Sequence, residues 1–200
     1  MDHPRPSLRL PSFEGSGLLH GALAKREDIP GKQKGQSYWG HVTAVYDAWC
    51  GLKEVHAGLI DRVAVRNGLT AERVLMSSLL CVALHDVGKL SSNFQAMMTA
   101  GGDDAYRRAV QGNYRHEVAA LWLVDRAARR LGKQAGAIPG GGLLEFFAVA
   151  GHHKYLADGH LFEPGRFANR LSWHPDPATA ADAACGLAAE MFAQQGWAVP

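Results

Sequence analysis

Apolar residues recur at helical spacing along most of the chain, and the positions of the capping residues divide this pattern into segments. Ser37 is an expected N-cap for a long first helix, which Asn67-Gly68 should end. Thr70 is the expected N-cap of a second helix, in which the stretch 74–84 is apolar nearly all round. Such a helix is typical of the buried centre of a bundle. It runs into the polar pair His85-Asp86, with Gly88 as the expected terminator.

Further helices are predicted in the second half of the chain, over 114–132, 143–153 and 178–195. No alternation typical of strands persists, and no internal repeat is present. We therefore predict an all-α fold, a single-domain helical bundle with five or six main helices. The early prolines and glycines predict an irregular N-terminal arm over residues 1–36, and the domain then occupies 37–200.

Composition narrows the class of protein. The 200 residues are 47% apolar and 20% charged, which excludes a disordered, collagen-like or coiled-coil chain. Lys and Arg total 21 against 19 Asp and Glu, so a histone-like electrostatic binder is also excluded. The three cysteines form no CxxC pair, which argues against a disulfide framework or a zinc ribbon. With no signal-peptide pattern and no spanning segment, the expectation is a cytoplasmic domain without membrane contact.

Ten histidines are the unusual count, and five of them lie at helix ends or on apolar faces. A single histidine on an apolar face is ordinarily a core residue with satisfied hydrogen bonds. Several imidazoles on separate helices of one core would leave polar nitrogens buried at a cost of a few kcal/mol. A shared metal centre removes that cost, since imidazole and carboxylate are metal ligands. The residues concerned are His41, placed on the expected buried face with Val45 and Leu52, then His85-Asp86, His116, and His152-His153.

Four local motifs occur in order along the chain. They are Ala24-Lys25 followed by Tyr38-Trp39-Gly40-His41, then LHDVGKLSSNFQ at 84–95, YRHEVAAL at 114–121 and VAGHHKYL at 149–156. Together they resemble the HD metal-dependent phosphohydrolase superfamily. The closer resemblance is to the CRISPR-associated HD nuclease, the nuclease module of the type I nuclease-helicase.

The resemblance implies two divalent metal sites and hydrolysis of phosphodiester bonds in single-stranded DNA. The first ion would be bound by His41, His85 and Asp86. Asp86 would bridge to the second ion, and Lys89 would neutralise charge on the phosphate. The remaining ligands of the second ion would be His116, His152 and His153. Imidazole-rich ligation favours transition ions such as Mn, Fe, Co or Ni rather than Mg. The implied partners are single-stranded DNA, a helicase module in the same or a separate chain, and the CRISPR surveillance complex.

The sequence departs from the family pattern at its last ligand, an aspartate on a late helix. Asp176 and Asp182 are the late candidates, and neither has the expected Ser-x-x-Asp context. Either the chain is a piece that stops before this ligand, or Asp182 substitutes for it. Glu117, beside His116, is either a supporting group or a surface residue. Two other functions remain open: an HD phosphohydrolase acting on nucleotides or cyclic dinucleotides, and a metal-poor HD interaction scaffold.

Overall fold

A computed structural model gives the architecture. The residues that it describes are 16–25, 35–100, 116–117, 119–121, 123, 148–149 and 177–198.

Within these ranges the fold is helical apart from one short antiparallel hairpin, which confirms the all-α class. Residues 116–117, 119–121 and 123, here called the His116 segment, are helical, as are 148–149. The other elements, in chain order, are α1 (Ser16–Gly21), β1 (Leu23–Lys25), β2 (Gln36–Ser37), α2 (Tyr38–Val55), α3 (Ala57–Arg66), α4 (Ala71–Leu84), a 3-10 helix (Val87–Leu90), α5 (Ser92–Met98) and α6 (Pro177–Gln194).

Helix α4 is the central helix that its apolar sequence predicts. It packs against α2, α3 and α6. The helix begins after Thr70, as expected, because the Thr70 side chain accepts a hydrogen bond from the Arg73 backbone N–H at 3.1 Å. The bounds of α6 lie close to the predicted range 178–195. The site residues His85 and Asp86 therefore follow directly from the helix that contacts α2, α3 and α6.

The predicted first helix is two helices, α2 and α3, with a break at His56. The cap at Ser37 is confirmed, since its side chain accepts the Gly40 N–H at 3.1 Å. The break directs α3 onto α4, where Ala64 becomes buried. Gly68, with φ of +65°, ends α3 as predicted.

The buried face of α2 also differs from the prediction. Leu52, expected to be buried with His41, is 56% exposed. The buried stripe is instead Tyr38, Val42, Tyr46 and Trp49. His41 lies at the edge of this stripe, one helical turn after Tyr38, with 18% of its side chain exposed. This edge position lets the imidazole reach the site while the helix stays anchored in the core.

The irregular arm expected over residues 1–36 is wrong for 16–25, which fold onto the domain. Helix α1 packs on α2 and α6, and Leu19 is fully buried. Strand β1 pairs with β2, with Leu23 opposite Ser37. The free energy gained by burying the apolar side chains of this segment outweighs the tendency of its glycines to break regular structure. No helix within the described ranges is long and apolar enough to cross a membrane.

Candidate metal centre

Three segments of the fold converge on one buried carboxylate, that of Asp86, which is 1% exposed. Its Oδ2 lies 2.6 Å from His41 Nε2 on α2 and 3.2 Å from His85 Nε2 at the end of α4. Its Oδ1 lies 3.0 Å from His116 Nε2. The two carboxylate oxygens therefore face imidazoles from different sides, and residues far apart in sequence meet at one point.

The ring of His85 is held by its own helix. His85 Nδ1 lies 2.8 Å from the Val82 carbonyl oxygen, which can only accept a hydrogen bond. Nδ1 therefore carries the proton, and in the neutral ring Nε2 keeps a lone pair directed towards Asp86. This arrangement is typical of a histidine prepared to bind a metal ion through Nε2.

Lys89 supplies positive charge to the same carboxylate. Its Nζ is 2.7 Å from Asp86 Oδ2, and the residue is only 7% exposed. The Phe94 ring lies beneath the ammonium, with its centre 5.8 Å from Nζ. The edge of the same ring meets His116, at 5.5 Å between ring centres. Phe94 thus fixes two site residues from within the core.

Gly88 permits the close approach of the His116 segment. A Cβ at this position would lie 2.7 Å from the His116 carbonyl carbon and 2.8 Å from the Ala120 nitrogen. Gly88 does not end α4 in a left-handed conformation as expected; it lies inside the 3-10 helix, without a positive φ. The need for glycine here is steric and comes from a segment about thirty residues away in sequence.

Two further polar groups border the site. Glu117 is 4% exposed, so it is not the surface residue that the sequence left open. Its carboxylate lies 3.6 Å from His116 Nδ1, where negative charge favours a proton on that nitrogen. Burial raises the pKa of Tyr38 well above its ordinary value, and the negative charge of Asp86 raises it further. Tyr38 therefore stays a neutral phenol, and it lies close enough to Asp86 for the charge of that carboxylate to affect its pKa.

The family model described as "Cas3, HD domain" matches residues 30–198. The chain belongs to the Cas3 HD family. No match was found among curated proteins or among solved structures. Membership makes the chain an HD-type hydrolase domain of the nuclease class found in CRISPR systems.

For a Cas3 HD domain the arrangement around Asp86 is chemically suited to a divalent ion. Ligand atoms of His41, His85 and Asp86 all lie within 4.8 Å of one another. Two ligands bonded to one ion at about 2.1 Å are about 3 Å apart when they are adjacent in its coordination shell. The imidazole-to-carboxylate distances of 2.6–3.2 Å match that spacing. The residues present therefore fit a metal ion.

The structure brings together five of the seven residues predicted for the site: His41, His85, Asp86, Lys89 and His116. His152, His153 and Asp176 lie outside the described residues. Asp182 lies on α6, and within the described ranges it does not belong to the group of converging ligand atoms. Tyr38 stands in the motif that ends at His41, but the sequence assigned it no role of its own. Its spacing of three from His41 puts both residues on one side of a helix.

Proposed function

We propose that this Cas3 HD domain is a metal-dependent endonuclease that cleaves single-stranded DNA in type I CRISPR interference. The observation that carries the proposal is the buried Asp86, whose two oxygens face imidazoles from three segments. Lys89 compensates the charge of this carboxylate, which is 1% exposed, but it does not account for the three imidazoles that surround it. A divalent cation does, because imidazole and carboxylate are both metal ligands. Family membership supplies the class of reaction.

We propose that His41, His85 and Asp86 bind one divalent ion. Asp86 would bridge to a second ion, whose other ligands would be His116, His152 and His153. The contacts of Asp86 support this division, since Oδ2 meets His41 and His85 while Oδ1 meets His116. Nitrogen-rich ligation favours Mn, Fe, Co or Ni over Mg, which prefers an all-oxygen shell.

When bound, the divalent ions supply positive charge to the phosphodiester oxygens and lower the pKa of the attacking water. The protein residues orient and compensate these groups. The Val82 carbonyl holds the His85 ring in one tautomer, so its Nε2 stays available as a ligand. Lys89, already beside Asp86, adds a cation that attracts the phosphate backbone. A helicase module and the CRISPR surveillance complex are the proposed partners that deliver the single strand.

The proposal is tested with circular single-stranded DNA, which has no ends and reports only endonuclease cleavage. The purified chain is incubated with Mn²⁺, Co²⁺, Ni²⁺ or Mg²⁺ in separate reactions. The variant Asp86→Asn keeps the side-chain shape and removes the charge at the centre. His56→Ala is the matched control, because it also removes an imidazole but at an exposed position between α2 and α3.

We expect cleavage of the circle with a transition ion, no cleavage with Asp86→Asn, and wild-type cleavage with His56→Ala. Calorimetric titration with Mn²⁺ on the same samples reports metal binding separately from cleavage. Metal binding without cleavage of DNA would contradict the nuclease proposal, and turnover of a cyclic dinucleotide in the same assay would favour the alternative phosphohydrolase. Absence of metal binding would favour a scaffold role.

A further inference from the structure

The side-chain amide of Gln95, on α5, links strand β1 to the 3-10 helix that carries Lys89. Its Oε1 accepts a hydrogen bond from the Leu23 backbone N–H at 2.8 Å. Its Nε2 donates to the Leu23 carbonyl at 2.9 Å and to the Lys89 carbonyl at 2.7 Å. One side chain thus makes three hydrogen bonds of good length to two backbone segments.

Both linked segments lead directly to site residues. Leu23 pairs with Ser37, the N-cap of α2, and α2 carries His41 one turn later. The Lys89 carbonyl belongs to the same residue whose Nζ lies 2.7 Å from Asp86. Gln95 therefore lies between the two segments that bring His41 and Lys89 to the carboxylate.

The 3-10 helix needs such an outside support. It has only four residues, and its hydrogen bonds are geometrically poorer than those of an α-helix. A buried lysine whose ammonium must meet one carboxylate tolerates little movement of its backbone. Only a carboxamide can accept from the Leu23 N–H and donate to two carbonyls at once.

We infer that Gln95 is a positioning residue that fixes the Lys89 ammonium against Asp86. The inference deepens the function proposed above and, for its cleavage readout, rests on it. Within the part of the chain that the structure describes, the Gln95 side chain bonds to the backbone of Lys89 and of Leu23 on β1, and to none of the converging ligand atoms. Its contribution to the reaction should therefore disappear when the Lys89 ammonium is absent.

The test is a double-mutant cycle of Gln95→Ala and Lys89→Ala, with the cleavage rate of circular single-stranded DNA as readout. We expect Gln95→Ala to slow cleavage by about 10- to 100-fold, the effect of a misplacement of about 1 Å. In the Lys89→Ala background the same substitution should have no further effect. Gln194→Ala is the matched control, because the side-chain hydrogen bond of Gln194 within the described residues stays inside α6, to Glu190 at 2.9 Å.

Gln95→Glu keeps only one of the three hydrogen bonds and serves if Gln95→Ala does not fold. A carboxylate can still accept from the Leu23 N–H, but it cannot donate to the Leu23 carbonyl or to the Lys89 carbonyl. We expect it to slow cleavage as much as Gln95→Ala. Wild-type cleavage by Gln95→Glu would overturn the inference. So would a double variant whose loss of cleavage rate equals the product of the two single losses.

A measurement on the metal-free chain keeps the inference separate from the nuclease proposal. The ¹⁵N resonance of a buried, paired lysine ammonium is visible because its protons exchange slowly. We expect the Lys89 ammonium signal in the wild type and in Gln194→Ala, and its loss in Gln95→Glu. If the signal persists in Gln95→Glu, the inference fails whether or not the wild type cleaves DNA. If the Lys89 signal is lost in Gln95→Glu and the wild type does not cleave DNA, the nuclease proposal fails and the inference on Gln95 stands.

Discussion

Replacement of Gly88 by alanine tests whether the close contact with the His116 segment builds the site. The new Cβ would lie 2.7 Å from the His116 carbonyl carbon and 2.8 Å from the Ala120 nitrogen. Ordinary contacts of a Cβ begin at 3.4 Å, and the His116 carbonyl oxygen would lie nearer to the new Cβ than the carbonyl carbon does. The two backbones must therefore separate by well over the roughly 0.7 Å that the carbonyl carbon alone requires. Neither neighbour is the end of a flexible side chain, so the movement involves the main chain.

The separation of the two backbones should lower the stability of the fold and lengthen a contact within the site. Overpacking of this kind typically lowers the free energy of unfolding by about 1–3 kcal/mol. For a domain of this size that corresponds to a fall of about 2–12 °C in the thermal midpoint. The 3.0 Å contact between His116 Nε2 and Asp86 would lengthen by a similar distance to the backbone shift. We expect Mn²⁺ affinity to fall by about 10-fold or more, as when a supporting group of a metal ligand is lost.

The assay is thermal unfolding together with calorimetric titration of Mn²⁺. Gly58→Ala is the matched control, because a Cβ there meets only Arg62 Nη1, at an ordinary 3.7 Å, in an exposed helix. It should raise the free energy of unfolding by about 0.5–1 kcal/mol and leave Mn²⁺ affinity unchanged. Wild-type stability and Mn²⁺ affinity in Gly88→Ala would refute the steric argument.

Three other predictions concern stability. Tyr38→Phe removes a fully buried hydroxyl that has no hydrogen-bond partner within the described residues. The free energy of unfolding, measured in urea, should therefore rise by about 1 kcal/mol. A fall of about 1 kcal/mol in that free energy would contradict the prediction. Burial raises the pKa of Tyr46 from 10.0 to about 12, so its neutral form stabilises the fold fully below pH 10 and progressively less as the pH rises towards 12. Unfolding free energy measured across that range should fall less steeply in Tyr46→Phe, and equal slopes would show that this phenol is not responsible. Thr70→Ala should lower unfolding free energy by about 1 kcal/mol through loss of the α4 cap, whereas Thr70→Ser should retain it.

The starts of α2 and α4 were predictable because their determinants are local. Ser37 and Thr70 each accept a hydrogen bond from a backbone N–H three residues later, so the sequence contains both partners. The break at His56 was not predictable in this way. Local propensity permits one continuous helix there, and packing of α3 on α4 decides against it.

The burial of α2 illustrates the same limit. Its apolar residues allow more than one face to be the inner one, and their spacing predicted that Leu52 would be buried. The positions of α4 and α1 select the face of Tyr38 and Tyr46 instead. Periodicity establishes that a helix has an apolar side, while its neighbours determine which side is buried.

The sequence by itself determined the chemical composition of the candidate centre. Imidazoles, a carboxylate and a lysine recur at helix ends in an order typical of HD domains, and their side-chain types alone define a metal-binding set. Only the tertiary structure decided which atoms meet. Gln95 reaches Leu23 across 72 positions, and Gly88 is glycine because the His116 segment crosses it. Such contacts depend on how whole helices pack, and no local pattern encodes the distance between two residues that the fold alone brings together.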